Sequence, residues 1–233
     1  MIILDVLFVG VLVVGLPTLA FLQLPLLKEH VIERSSAYAG SAAAICVMGA
    51  VAFLLGVGRW GAEDMGLIWP GLSLVAVWTG VLLTAGAAIL GLFWLVGRFL
   101  AVDETPLLRQ LLPKTGREKR AFAVLSLCAG VGEELAYRAY AVLAISAVVG
   151  SAWLALALAC VPFGLVHVYQ GPVGLVRTYI LGLVLGASYL ATGSLWPAMV
   201  VHTALDLLGG LVVGDRLLGP DPAGTDPAGT DPA

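Results

Sequence analysis

Apolar residues run through this chain in long blocks, and the polar interruptions between them are short. A helix needs about 20 predominantly apolar residues to cross the hydrocarbon core of a bilayer. On that spacing the pattern predicts seven spans, at 3–27, 37–58, 71–97, 121–147, 151–170, 174–192 and 195–213. The third block is long enough to raise the question of an eighth span, but a single helix accounts for it. The last two boundaries rest on the brief breaks Gln170-Gly171-Pro172 and Thr192-Gly193-Ser194. The first block is apolar from Val6 to Leu27, carries Asp5 and has no basic stretch before it, so it reads as a span and not as a cleaved signal peptide.

Composition makes these blocks membrane helices. Of 233 residues, 60% are hydrophobic and 12% charged, with a mean hydropathy of +1.01. Soluble domains are about 45–50% apolar and about 25% charged. The expected fold is therefore all-α and polytopic: a bundle of seven transmembrane helices, or eight if the third block is split, enclosing a polar cavity. A net charge of −3 gives no reason to expect a nucleic-acid partner. Cys46, Cys128 and Cys160 lie in apolar stretches with no CxxC spacing and read as buried small hydrophobes.

Charge matters more for orientation. Lys28, Arg34, Arg98, Arg109, Lys114, Arg117, Lys119, Arg120, Arg177 and Arg216 fall on one side of the predicted bundle, and Arg59 alone falls on the other. Lys and Arg accumulate on the cytoplasmic side, so the N-terminus is expected outside and the C-terminus in the cytoplasm of a multi-pass plasma (cell) membrane protein. Trp60, Trp69, Trp153 and Trp196 fall at the external helix ends, where indole rings favour the headgroup layer. Three regions follow: 1–118, with three helices and a basic cytoplasmic loop; 119–213, with the remaining helices; and the tail 214–233. From Gly219 the tail repeats Gly-Thr-Asp-Pro-Ala and is too poor in apolar residues to fold, so it is expected to be disordered.

Against this background a few ionisable residues stand out. Glu133, Glu134 and Arg138 interrupt a span that is otherwise uncharged from Ala121 to Val149. Each such group costs at least about 2.5–3.5 kcal/mol at membrane depth. Glu134 and Arg138 are four apart and share a helix face, so they can neutralise each other. Glu133 points roughly 100° away around the helix and needs a partner of its own. His167 closes the run Phe163-Gly-Leu-Val-His167, and His202 and Asp206 share a face of the last span. A helix-helix hydrogen bond alone could account for His202 and Asp206. Peptide hydrolysis connects all of these residues more economically: it needs a general base, an acid for the leaving amine, and donors for the developing oxyanion.

Glu-Glu-x-x-x-Arg at 133–138, Phe-x-x-x-His at 163–167 and His-x-x-x-Asp at 202–206, in order on successive spans, resemble the CAAX protease and bacteriocin-processing family. The eukaryotic relatives of that family are the type II CAAX prenyl endopeptidases. The resemblance covers about 119–213 and leaves the first three spans unmatched. It implies an intramembrane endopeptidase open toward the cytoplasm, in which Glu133 and His167 activate water. His202 and Asp206 would form the oxyanion site, and Glu134, Arg138 and Phe163 would support it. The prenyl endopeptidases carry Asn at the last position. An ionised Asp206 cannot donate to an oxyanion, so it must be protonated, orient His202, or help hold a metal.

Glu133, His167, His202 and Asp206 are also an acceptable zinc set, but there is no His-Glu-x-x-His, and metal-free hydrolysis is the expectation. The expected partners are the bilayer and a membrane-associated peptide or protein, not prenylated, since so short a chain looks prokaryotic. Two other functions compete. One is a non-hydrolytic bacteriocin-immunity or binding protein with the same fold; the other is a proton-coupled transporter, which the absence of an inverted repeat disfavours.

Overall fold

The computed structural model describes residues 2–29, 32–100 and 105–213, and every predicted block forms a helix. Helix α1 runs through Ile2–Gly10, a π-wound stretch Val11–Gly15 and Leu16–Glu29. Helix α2 is Arg34–Asp64, started by Glu33, whose carboxylate accepts from the backbone of Ser36 at 2.6 Å. Helix α3 is Leu72–Leu100. A short helix, α4, Pro106–Gln110, stands in the basic loop. Helix α5 continues through Gly116–Glu133, a π-wound stretch Glu134–Ala141 and Val142–Val149. Helices α6, Ala152–Leu165, and α7, Gly171–Thr192, are joined by the 3₁₀ turn Val168–Gln170. Helix α8 is Trp196–Leu208, extended by the π-wound Gly209–Val213.

The chain is thus an all-α polytopic membrane bundle. Four segments, Ile3–Glu29, Arg34–Asp64, Leu72–Phe99 and Val168–Thr192, are long and apolar enough by themselves to cross a membrane. Two expectations change. The fifth block, expected to reach residue 170, leaves the α-helix at Leu165, so the turn bearing His167 is not part of α6. The eighth helix is α4, a capped turn in the loop and not a second half of the third block. The tail, Arg216 and His30 lie outside the described residues.

Packing is densest around α5, which contacts α2, α6 and α8. Glycine permits the two closest approaches. A Cβ on Gly49 of α2 would fall 2.7 Å from the Cα of Gly132. A Cβ on Gly130 would fall 2.7 Å from the backbone nitrogen of Thr203 and 3.0 Å from the Met199 carbonyl on α8. These contacts draw α2 and α8 onto either side of the Glu133 turn. Gly182 and Gly186 serve α7 in the same way within the chain: added Cβ atoms would meet Phe163, Cys160 and Leu156 of α6. Cys160 is buried as expected, but Cys46 is exposed and Cys128 half-buried, with their sulfurs 3.3 Å apart across the outer edge of the α2–α5 contact. Polarity does not exclude a Cys side chain from a lipid-facing surface, so an apolar sequence context alone could not separate core from lipid contact.

The basic loop is anchored to the bundle. Arg34 Nε donates to the Gln110 carbonyl at 2.6 Å and Tyr38 Oη to that of Leu111 at 2.5 Å. Thr115 and Glu118 form a capping box at the start of α5. Backbone N–H groups of Thr115 and Lys114 hold the Glu118 carboxyl below its ordinary range.

Candidate active site

Two consecutive glutamates on α5 meet one imidazole from α8. His202 Nδ1 lies 2.7 Å from Glu134 Oε1, while His202 Nε2 faces Glu133 Oε2 at 3.7 Å and Asp206 Oδ2 at 3.8 Å. Glu134 is fully buried, and its Oε1 is also 3.2 Å from Nη1 of Arg138 one turn on, so the predicted i,i+4 pair is present. With two donors aimed at it, Oε1 accepts, and the proton between it and His202 belongs to Nδ1. The carboxylate that orients His202 is therefore Glu134. Asp206, expected as one candidate for that task, faces the other edge of the ring.

Arg138 is buried with its guanidinium stacked on Phe163, Cζ 3.8 Å from the ring centroid. Its approach to Glu134 is an ion pair and not a well-aligned hydrogen bond, since none of its three nitrogens finds a partner of good geometry among the described residues. Stacking on an aromatic face then supplies attraction that the charge does not obtain from hydrogen-bond acceptors. Phe163 is the hub of the aromatic packing: its ring centroid is 5.0 Å from His167, 5.3 Å from Tyr137 and 6.2 Å from His202.

His167 packs against the same ring. Its Nδ1 is 2.8 Å from the Phe163 carbonyl, which can only accept, so the proton sits on Nδ1 and the Nε2 lone pair is left free. Glu133 is the least committed group. It is mostly buried, and its Oε2 makes no hydrogen bond among the described residues, being separated from His202 by more than a hydrogen-bond length.

The site thus brings Glu133, Glu134 and Asp206 around the His202 ring, and Phe163 packs against both His202 and His167. No group of three His, Cys, Asp or Glu among the described residues is gathered closely enough to hold a metal ion.

Two further polar clusters lie outside the three motifs. Asp5, Arg59 and Tyr140 meet near the opposite end of α5: Arg59 pairs with Asp5, and the Tyr140 hydroxyl donates to Asp5 at 2.7 Å. Thr105, Tyr169, Gln170, Arg177 and Thr178 form the second cluster beside His167. A Tyr two residues beyond the Phe-x-x-x-His run was the available hint to the latter.

Residues 119–208 match the family of Rce1-like type II CAAX prenyl endopeptidases. Over this segment the chain is similar to the CAAX protease family. The match contains all three motifs and begins where α5 enters the bundle; it leaves α1 to α3 outside. The family is one of proteases, and at that level the match supports hydrolase activity. No curated protein and no solved structure matches the chain.

Proposed function

We propose that the chain is an intramembrane endopeptidase that hydrolyses a peptide bond of a membrane-associated protein or peptide with water activated by Glu133 and His167. Glu133 carries this reading. Its carboxylate is buried beside the Glu134–Arg138 pair without belonging to it, and its Oε2 faces the cavity edge of His202. Such a group costs about 2.5–3.5 kcal/mol or more at membrane depth, and here its Oε2 returns no hydrogen bond among the described residues. Its use is as a base.

In this mechanism Glu133 takes one proton from water, and the Nε2 lone pair of His167 holds the other hydrogen. The hydroxide adds to the scissile carbonyl carbon. The charge formed on oxygen is met by Nε2–H of His202 when both ring nitrogens carry protons, with Nδ1–H held by Glu134. The C–N bond breaks as Glu133 passes its proton to the amine. Asp206 flanks the Nε2 edge. The active site opens toward the cytoplasm, with the N-terminus outside.

Glu133→Gln retains shape and removes the base, so turnover should fall by about 10²–10⁴-fold while the protein folds normally. The assay is cleavage by reconstituted protein of a membrane-tethered peptide that the parent demonstrably cuts. Activity of the variant within a few-fold of the parent would falsify this mechanism and favour a binding protein of the same fold. Hydrolysis is proposed to be metal-free: dialysis against a chelator should leave the rate unchanged, and Asp206→Asn should be tolerated. A chelator-sensitive rate restored by zinc, together with loss of metal affinity in Asp206→Asn, is the opposite result.

A further inference from the structure

The peptidase reading leaves the oxyanion short of donors. The proton on His167 Nδ1 is spent on the Phe163 carbonyl and that on His202 Nδ1 on Glu134, so His202 Nε2 is the one ring nitrogen able to offer a proton to the cavity. Even that N–H faces two carboxylates, Glu133 and Asp206, which are acceptors when ionised. A site this rich in acceptors needs another preorganised donor to favour negative charge on the carbonyl oxygen.

The turn after His167 supplies one. Thr105 Oγ1 donates to the Tyr169 carbonyl at 2.7 Å and pins the turn. Arg177 has donors only, so Gln170 Oε1, 3.2 Å from Arg177 Nη2 and 3.4 Å from Thr178 Oγ1, is the accepting end of its amide. The other end, Nε2, is thereby turned to Tyr169 and donates to its hydroxyl at 3.2 Å. With the phenol oxygen accepting from Gln170, its own proton is left to point elsewhere. The ring lies beside His167, with centroids 5.9 Å apart and planes 35° from each other.

We infer that Tyr169 is a further catalytic residue, whose hydroxyl, aimed by Gln170, donates to the oxyanion alongside His202. The assignment rests on the peptidase reading and adds no covalent step. Tyr169→Phe in the full chain, reconstituted in vesicles with a peptide the parent cleaves, should lower kcat by about 10²–10³-fold, the usual effect of losing one oxyanion donor. KM and melting temperature should stay at the parent values. A smaller fall in kcat is expected for Gln170→Leu, which keeps the phenol and loses the amide that aims it.

A Tyr169→Phe kcat within a few-fold of the parent, or a loss confined to KM or to thermal stability, overturns the assignment. Should Tyr169→Phe fail to fold, Gln170→Leu decides, and an unchanged kcat there overturns it equally. A parent that cleaves nothing, or a Glu133→Gln variant as active as the parent, overturns the peptidase reading and this inference with it. An active parent with an inert Glu133→Gln and an unaffected Tyr169→Phe removes Tyr169 alone.

Discussion

Helices α1 to α3 and the stretch of α5 that carries the glutamates are both apolar and helical, yet they meet opposite surroundings. In the most apolar windows of α1, α2 and α3, 22%, 22% and 11% of residues are buried within the protein. In α5 all eight residues from Glu134 to Ala141 are buried. In lipid there is little hydrophobic gain from pressing one Leu-rich helix on another, so helices associate through close packing and polar contacts. The outer helices present large side chains such as Leu54, Leu72 and Val77 to lipid, while α5 meets its neighbours at Gly130 and Gly132 and through charges. Stability and chemistry are therefore concentrated in one helix, and three substitutions test whether that is so.

The largest effect is expected at Arg138. Arg138→Ala leaves Glu134 buried opposite no guanidinium, at about 3–5 kcal/mol for breaking a buried ion pair, so melting temperature in detergent and folded yield should both drop. A variant as thermostable as the parent would break the comparison at its centre. Gly132→Ala comes next. The added methyl group would lie 2.7 Å from Ile45 Cγ2 and 2.8 Å from the Ile45 carbonyl oxygen, and over-packing of that kind costs about 1–3 kcal/mol. Oxidative cross-linking of Cys46 to Cys128, whose sulfurs are 3.3 Å apart, should weaken in the same variant as α2 is pushed off α5. The smallest effect is expected at Val77, 64% exposed on α3. Val77→Ala should change stability by no more than about 0.5 kcal/mol. A loss comparable to that of Gly132→Ala would mean that α3 is covered by something other than lipid.

The outer helices are not passive at every point. Asp5 of α1 and Arg59 of α2 are held together beside the Tyr140 hydroxyl of α5, and Tyr137 Oη donates to the Leu12 carbonyl at 3.4 Å. These ties join the two π-wound stretches, Val11–Gly15 and Glu134–Ala141, to each other. Helix α1 lies outside the matched family segment, yet it braces the far end of the helix that bears the glutamates.

Membrane helices are legible in one dimension because bilayer thickness dictates the length of each apolar block, and charges within those blocks are rare enough to be noticed. That was sufficient for the apolar helices and for the Glu134–Arg138 pair at i,i+4, and it set Glu133, His167, His202 and Asp206 apart as candidates. What it could not supply were pairings between residues far apart in the chain. That Glu134 and not Asp206 holds His202 Nδ1 depends on α8 lying against Gly130. That Gln170 presents its amide nitrogen to Tyr169 depends on Arg177, a turn and a half into the next helix. Local periodicity reports only which solvent a side chain prefers. Which polar group it meets is decided when glycine contacts bring helices within reach, and that information exists only in the packed bundle.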